Sequence, residues 1–343
     1  MTTGIRDDHP AVSVLMANYN SAPYLAAAIA SVLGQDFNSL ELILVDDGSA
    51  DGSVALAERI AAGDPRLRVF SGKRFGGPAP VRNFALDQAR GDWVAVVDSD
   101  DLIHPQRFSR MLAAIETSGA DILIDDLAIF GGEGSSGVDT MFEGPLATTP
   151  STISEPTYIR SNFLFGKGTK LGYAKPVIRR ASLEKNGIRY NETMRIGEDY
   201  DLIVRLLGKG CVMATLPETL YFYRKHSASI SHRLDMTALS ALEATGAAAA
   251  AAPGQSPDVL SANTGRLKSI RRAIGFDRLV SAIKGADATT ILSLLVRQPS
   301  AFTLLYLPIA ARLRSLFPKQ RPAQPEIVSM IASLDRSSAS TSK

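Results

Sequence analysis

Three carboxylates stand within four residues at Asp98-Ser99-Asp100-Asp101, directly after the apolar run Trp93 to Val97. Carboxylate oxygens held this close repel one another unless a cation lies among them, and a hard divalent ion with oxygen ligands is the natural partner. The plainer alternative is a solvated turn in which Asp101 caps a helix from about His104. Two more polar clusters end apolar runs in the same way: Asn18-Tyr19-Asn20 after Val12 to Met16, and Asp46-Asp47-Gly48-Ser49 after Leu40 to Val45. A further acidic pair, Glu198-Asp199, opens a helical pattern that runs to Leu207. The first turn of a helix favours carboxylates and fixes their direction, so the pair either supplies general-base chemistry or simply complements the helix dipole.

For these groups to meet, the runs that precede them must be strands of one sheet. Strand patterns at Val12–Met16, Leu40–Val45, Leu67–Phe70 and Trp93–Val97 alternate with helical patterns at Pro23–Leu33, Val54–Ala61 and Pro80–Ala89. Such alternation signals βαβ units and a mostly parallel sheet, whose strand ends share the carboxyl edge where open α/β sheets bind ligands. That edge would gather an aromatic ring, amides and five carboxylates. No GxGxxG follows the first strand and no GxxxxGK[ST] occurs anywhere, which disfavours dinucleotide and P-loop cradles. The glycine-rich basic loop Ser71 to Gly77, and Arg82-Asn83 at a helix start, are the groups able to share a diphosphate with a metal. Lys73 and Arg74 read equally well as solvated surface charges. Trp93, the single tryptophan, reads as core.

Taken in order, Val14 to Asn20, Leu44 to Ser49 with Asp51, Arg82-Asn83, and Asp98 to Asp101 resemble family 2 glycosyltransferases with the GT-A fold. Gly197-Glu198-Asp199 is similar to that family's acidic pair, and Tyr223 to Ser231 to its closing Tyr-Arg-x-His-x-x-Ser-x-Ser segment. The resemblance spans residues 10 to 232. It implies an α/β, Rossmann-like nucleotide-diphospho-sugar transferase with a mostly parallel central sheet, and an inverting transfer from a nucleotide sugar. It also implies donor contacts at Ala17, Tyr19, Asn20, Asp47, Arg82, Asp98 and Arg224, with Asp46 or Asp51 as alternatives to Asp47. Tyr19 would stack on the base, an interaction worth about 1–3 kcal/mol. Mn²⁺ or Mg²⁺ would be held by Asp100, with Asp101 as the competing ligand and His226 completing the shell or donating to the diphosphate. Arg224 would clamp a phosphate or pair with an acidic loop. Asp199 would deprotonate the acceptor hydroxyl, with Glu198 as the alternative base or an acceptor-binding group.

Within that family the chain is most similar to succinoglycan-type glucosyltransferases, which implies UDP-glucose, a lipid-linked oligosaccharide acceptor and exopolysaccharide biosynthesis. Two other readings compete. One is a non-catalytic nucleotide-sugar or carbohydrate-binding module. The other is a sugar-phosphate nucleotidyltransferase, disfavoured because Ala17 to Ala22 contains no Gly, Lys or Arg.

With 45% hydrophobic and 21% charged residues, the 343-residue chain can bury a sizeable core, and a net charge of +2 gives no reason to expect a nucleic-acid partner. Cys211 is the only cysteine, so no internal disulfide forms. Met1 to Pro10 is polar and unlike a secretory signal, so a cytoplasmic chain is expected. Gly131 to Pro156 reads as a long surface loop. Acceptor specificity is expected between that loop and Tyr190, a stretch containing Phe163, Phe165, Lys167, Lys170 and Tyr173.

After His232 the texture changes, with an alanine-rich helix from Met236 to Ala252 and a second module from about Val259. From Arg266 to Arg321 eleven Lys or Arg face only Asp277 and Asp287. The uncharged stretch Ser300 to Ala311 is shorter than the roughly 20 residues that cross a bilayer. This region is therefore expected either to lie peripherally on the inner membrane face, with Arg297, Arg312 and Arg314 at anionic headgroups, or to pack on the catalytic domain or a dimer partner. The organisation expected is a tail over 1–10, a catalytic domain over 11–235, a helical basic appendage over 236–322, and a disordered tail over 323–343.

Overall fold

Parallel pairing begins with β1 (Val12–Asn18), β2 (Leu40–Asp46), β3 (Leu67–Phe70) and β4 (Trp93–Val96), arranged β3-β2-β1-β4 in a computed structural model that describes residues 9–131, 138–226, 235–306 and 325–340. Every residue of β2 is buried, as are all but Ala17 of β1, which explains why these strands read as continuous apolar runs rather than alternating ones. The crossovers are α1 (Ala22–Leu33), α2 (Ser53–Ala61) and α3 (Pro78–Gln88). On α1, Leu25, Ala28, Ile29 and Val32 recur at helical spacing and bury in the core cluster that includes Val14, Met16 and Leu42. Each fully buried Leu or Ile contributes about 1.5–3 kcal/mol.

The chain divides into two compact units, one of Met1–Ser154, Tyr173–Ala228 and Pro322–Lys343, the other of Glu155–Gly172 and Ser229–Arg321. In the first, the sheet continues past β4 through β5 (Leu102–Ile103), β6 (Ile122–Gly131), β9 (Val177–Arg179) and β10 (Met213–Lys225) in the order β4-β9-β6-β10-β5. β9 is antiparallel to both neighbours, and β6 and β10 pair in parallel. The helices α4 (Arg107–Ser118), α6 (Arg180–Asn186) and α7 (Glu198–Gly208) complete this part, while α5 (Glu155–Ser161) belongs to the second unit. The expected loop over 131–156 contains short pairings instead: β7 (Asp139–Thr140) joins β6, and β8 (Thr152–Ile153) joins β10. Strands of two residues are too short to show a period.

Within the tail expected to be disordered, residues 325–340 are helical instead. Helix α11 (Pro325–Ser340) forms because Ile327 and Ile331, one turn apart, bury in a cluster with Ala27, Leu102, Ala128, Phe130 and Phe222. The Ser-rich composition of the tail hides that short apolar face.

The second unit contains α5 with α8 (Met236–Ala251), α9 (Pro257–Lys284) and α10 (Ala288–Arg297). Phe163 lies against α9 at Gly265, where an added Cβ would meet its Cζ at 2.6 Å. Thus residues 155–172, including Phe163, Phe165, Lys167 and Lys170, join the helical unit, whereas Tyr173 stays with the sheet. His232, Arg312 and Arg314 lie outside the described residues.

Candidate active site

The ends of β1 and β2 are tied together by their own polar side chains. Asn18 Nδ2 donates to Asp46 Oδ1 at 2.6 Å, and Asp46 Oδ2 accepts the backbone N–H groups of Gly48 and Ser49 at 3.0 and 2.8 Å. Asp46 is therefore a buried turn brace. Asp51 serves the two helix starts: Oδ2 accepts from Ala22 N–H at 2.8 Å and Oδ1 from Ser53 N–H at 3.0 Å. Burial pushes its carboxyl up, but the Ser53 hydroxyl and these amides outweigh burial and hold it below the usual value. Of the three acids, Asp47 is the one that reaches the glycine-rich loop, with Oδ1 accepting from the N–H groups of Phe75 and of Gly76, the latter at 2.9 Å. Tyr19 is 48% exposed with the Arg74 guanidinium 5.7 Å from its ring centroid. Asn20 takes a positive φ of 51° and accepts from Ala50 N–H through Oδ1. Ala17 is half-buried on β1 opposite Val45.

Arg82, buried in the first turns of α3, draws the end of β4 and the start of α7 into one cluster. Its Nη2 donates to Asp98 Oδ1 at 2.9 Å, and its Nη1 donates to Glu198 Oε1 at 2.8 Å and Asp199 Oδ1 at 3.0 Å. Lys175 Nζ adds a second cation, 2.7 Å from Asp98 Oδ2 and 3.7 Å from Asp199 Oδ2. Burial raises the Asp98 carboxyl, but the Lys175 and Arg82 charges overcome it and hold Asp98 below its ordinary value. Glu198 moves the other way, pushed up by burial and by the Asp199 charge against the pull of Arg82. Gly197 makes this presentation possible: it enters α7 at φ 85°, a conformation that side-chain-bearing residues rarely adopt. The acids then sit in the first turn, where backbone N–H groups favour negative charge.

Residues 13–185 match the model for Glycosyl transferase family 2. The chain belongs to that family. Over 310 residues the glycosyltransferase is 36% identical to the succinoglycan biosynthesis protein ExoO of Rhizobium meliloti, covering 90% of this chain and 88% of that one. Among solved structures it resembles S. aureus TarS 1–349 in complex with UDP-GlcNAc, with a TM-score of 0.60 at 21% identity over 86% of this chain and 79% of that one. It also resembles the mannosyltransferase PcManGT from Pyrobaculum calidifontis in complex with GDP-Man and Mn²⁺, with a TM-score of 0.53 at 19% identity over 92% and 89%. These structural likenesses show that the glycosyltransferase has the GT-A fold expected of it.

The acidic turn after β4 splits into outward and inward parts. Asp100 Oδ2 lies 2.8 Å from His226 Nε2, and the His226 ring stacks on Tyr24 with centroids 4.8 Å apart. Burial and then the Asp98 charge push the Asp100 carboxyl up, opposed by His226. Among the described residues no three His, Cys, Asp or Glu side chains are already gathered at metal spacing. A hard cation that takes one or two protein ligands and completes its shell with substrate phosphates fits what Asp100 and His226 offer.

Asp101, expected as a competing ligand or helix cap, is neither. It is fully buried, its Oδ2 accepting from the Tyr221 hydroxyl and its Oδ1 from Arg224 N–H, each at 2.7 Å, while Gln106 occupies the N-cap of α4. Burial, then the Asp100 and Asp98 charges, push its carboxyl well up. Arg224 is likewise not offered to a phosphate. Its Nη1 and Nη2 donate to Asp335 on α11 at 3.2 and 2.8 Å, and its Nε donates to the Asp100 carbonyl at 2.8 Å.

Lys175, Tyr221 and Asp335 are the site residues that the sequence did not single out. Lys175 precedes a proline on the way into β9 and belongs to no motif. The one available signal was arithmetic: Asp98, Glu198 and Asp199 needed more positive charge than Arg82 alone supplies. Asn83 serves the same region by holding the backbone of Tyr190, donating to its carbonyl at 3.0 Å and accepting from its N–H at 2.9 Å.

Proposed function

We propose that this glycosyltransferase moves a hexose, with inversion, from a UDP-linked donor to a hydroxyl of a lipid-linked saccharide during exopolysaccharide biosynthesis. The observation that carries the proposal is the Arg82 and Lys175 cluster, which joins Asp98 at the end of β4 to Asp199 at the start of α7. Tyr19 stacks on the base, Asp47 accepts from base or ribose through the oxygen not held by the glycine-rich loop, and Asp98 takes the ribose side. Ala17 and Asn20 line the same strand end. Asp199, with a side chain 20% exposed against 9% for Glu198, is the carboxylate that accepts the acceptor's proton. Glu198 orients Arg82. Mn²⁺ or Mg²⁺, held by Asp100 and His226, would stabilise the charge on the departing nucleoside diphosphate.

Succinoglycan-type chemistry is supported by the likeness to the succinoglycan biosynthesis protein ExoO, and UDP by the TarS complex with UDP-GlcNAc; glucose is the sugar proposed. A cytoplasmic protein working at the inner membrane face suits a lipid-linked acceptor. No helix among the described residues is long and apolar enough to cross a membrane. In the second unit, Leu292, Leu295 and Val296 of α10 face solvent, and Lys268, Arg271, Arg272 and Arg297 help line a cavity of about 500 Å³. Exposed apolar side chains with neighbouring cations suit an anionic lipid interface. Lys268→Glu with Arg297→Glu should then abolish pelleting with anionic vesicles, and unchanged pelleting would remove the membrane from the proposal.

Calorimetric titration of UDP, GDP and TDP with Mn²⁺, Mg²⁺ or EDTA tests the core of the reading. Metal-dependent binding of UDP alone is expected, followed by turnover of UDP-glucose in preference to UDP-GlcNAc. Binding without turnover of any sugar would return the protein to a carbohydrate-binding module.

A further inference from the structure

The structure assigns a positioning role to the C-terminal helix: Asp335 on α11 fixes Arg224, and through it the turn and strand end that present Asp100 and His226. This rests on the donor-site reading above. Arg224 is buried at the end of β10 with its guanidinium between the rings of Tyr24 and Phe130, 5.0 and 4.6 Å from their centroids. Both terminal nitrogens go to Asp335, while Nε takes the Asp100 carbonyl and the backbone N–H takes Asp101. His226 follows two residues later and stacks on the same Tyr24 ring that Arg224 covers.

One guanidinium thus connects five elements: α1 through Tyr24, β6 through Phe130, the acidic turn, β10 and α11. A bidentate Arg–carboxylate pair is directional, so Asp335 sets the plane of the guanidinium and with it the direction of Nε toward Asp100. Burial of Ile327 and Ile331 holds Asp335 at that distance. Without the Asp335 charge, a buried guanidinium lacks its anion and is driven toward the nearest remaining carboxylates, those of the turn. The Asp100 and His226 pair would then lose its set spacing.

Asp335→Asn in the full chain removes the charge at constant shape, and Asp335→Glu retains it. UDP affinity would be measured calorimetrically with Mn²⁺ and with EDTA, alongside the imidazole NMR signals of His226 in metal-free protein. Groups that orient metal ligands typically change metal affinity 10- to 100-fold. Asp335→Asn should therefore weaken Mn²⁺-dependent UDP binding by about 10-fold or more, leave binding in EDTA unchanged and shift the His226 signals, with Asp335→Glu recovering part of each. Wild-type affinity and wild-type His226 signals in Asp335→Asn, whatever its Tm, would reduce the pair to a structural clamp and overturn the proposal. Tighter binding would overturn it as well, making Asp335 a restraint rather than a support. If the unaltered protein binds none of the nucleotides, the donor-site reading fails, and the metal-free His226 signals still decide whether Asp335 positions that ring.

Discussion

If Asp199 is the base, as proposed, replacing it with Asn should separate donor binding from transfer. In the cluster Arg82 and Lys175 face Asp98, Glu198 and Asp199, leaving one net negative charge that the substitution neutralises. The Asn carbonyl can still accept from Arg82 Nη1, now 3.0 Å from Asp199 Oδ1, so the guanidinium keeps its three partners. Lys175 loses only the longer of its two contacts, 3.7 Å against 2.7 Å to Asp98. Fold and donor pocket should survive, with an unchanged Kd for UDP in Mn²⁺. On the proposed mechanism, however, the acceptor hydroxyl loses its base. General-base catalysis contributes about 10²- to 10⁴-fold, or about 3–5 kcal/mol of barrier, and kcat should fall by that factor. Retained turnover with lost UDP binding would refute the assignment, and retained turnover in Asp199→Asn combined with loss in Glu198→Gln would transfer the role of base to Glu198.

Asp100→Asn should lower UDP affinity at least about 10-fold in Mn²⁺ and leave it unchanged in EDTA, because a neutral amide is a poorer ligand for a hard cation; equal loss in both conditions would show that Asp100 acts without metal. Lys175→Met removes the shorter ion pair of Asp98 and leaves three carboxylates to Arg82, so unfolding free energy from urea titration should drop by about 3 kcal/mol. A drop indistinguishable from zero would mean that Lys175 is dispensable to the cluster. The buried Asp101 makes a pH prediction. Its folded value lies well above the ordinary 3.8, so between those two values the folded protein holds a proton that the unfolded chain has released, and this group's contribution to stability falls as pH rises. Asp101→Asn should flatten that decline in urea unfolding from pH 4.5 to 8 in EDTA, and parallel curves would refute it.

Much of the fold is legible in the chain because it depends on short-range patterning. The apolar runs of β1, β2 and β4, and the helical spacing of Leu25, Ala28, Ile29 and Val32, each arise within a dozen residues. The strand-end clusters are legible for the same reason, since parallel strands deliver whatever follows them to one edge. β7 and β8 were hidden by their length, and α11 by a Ser-rich tail in which only one narrow face is apolar.

Residue type and order alone put Asp46, Asp47, Asp98, Asp100 and Asp101 at one sheet edge, whereas the expectation that Asp199 would join them came from the family resemblance. Tertiary structure decided what each carboxylate does there. Asp100 and Asp101 are adjacent and chemically identical, yet the turn aims one toward His226 and buries the other against Tyr221 and Arg224. Arg224 has the charge of a phosphate clamp, yet Asp335, 111 residues away, occupies it. Charge acts through distance in space and desolvation, and neither is written in the spacing of residues along the chain.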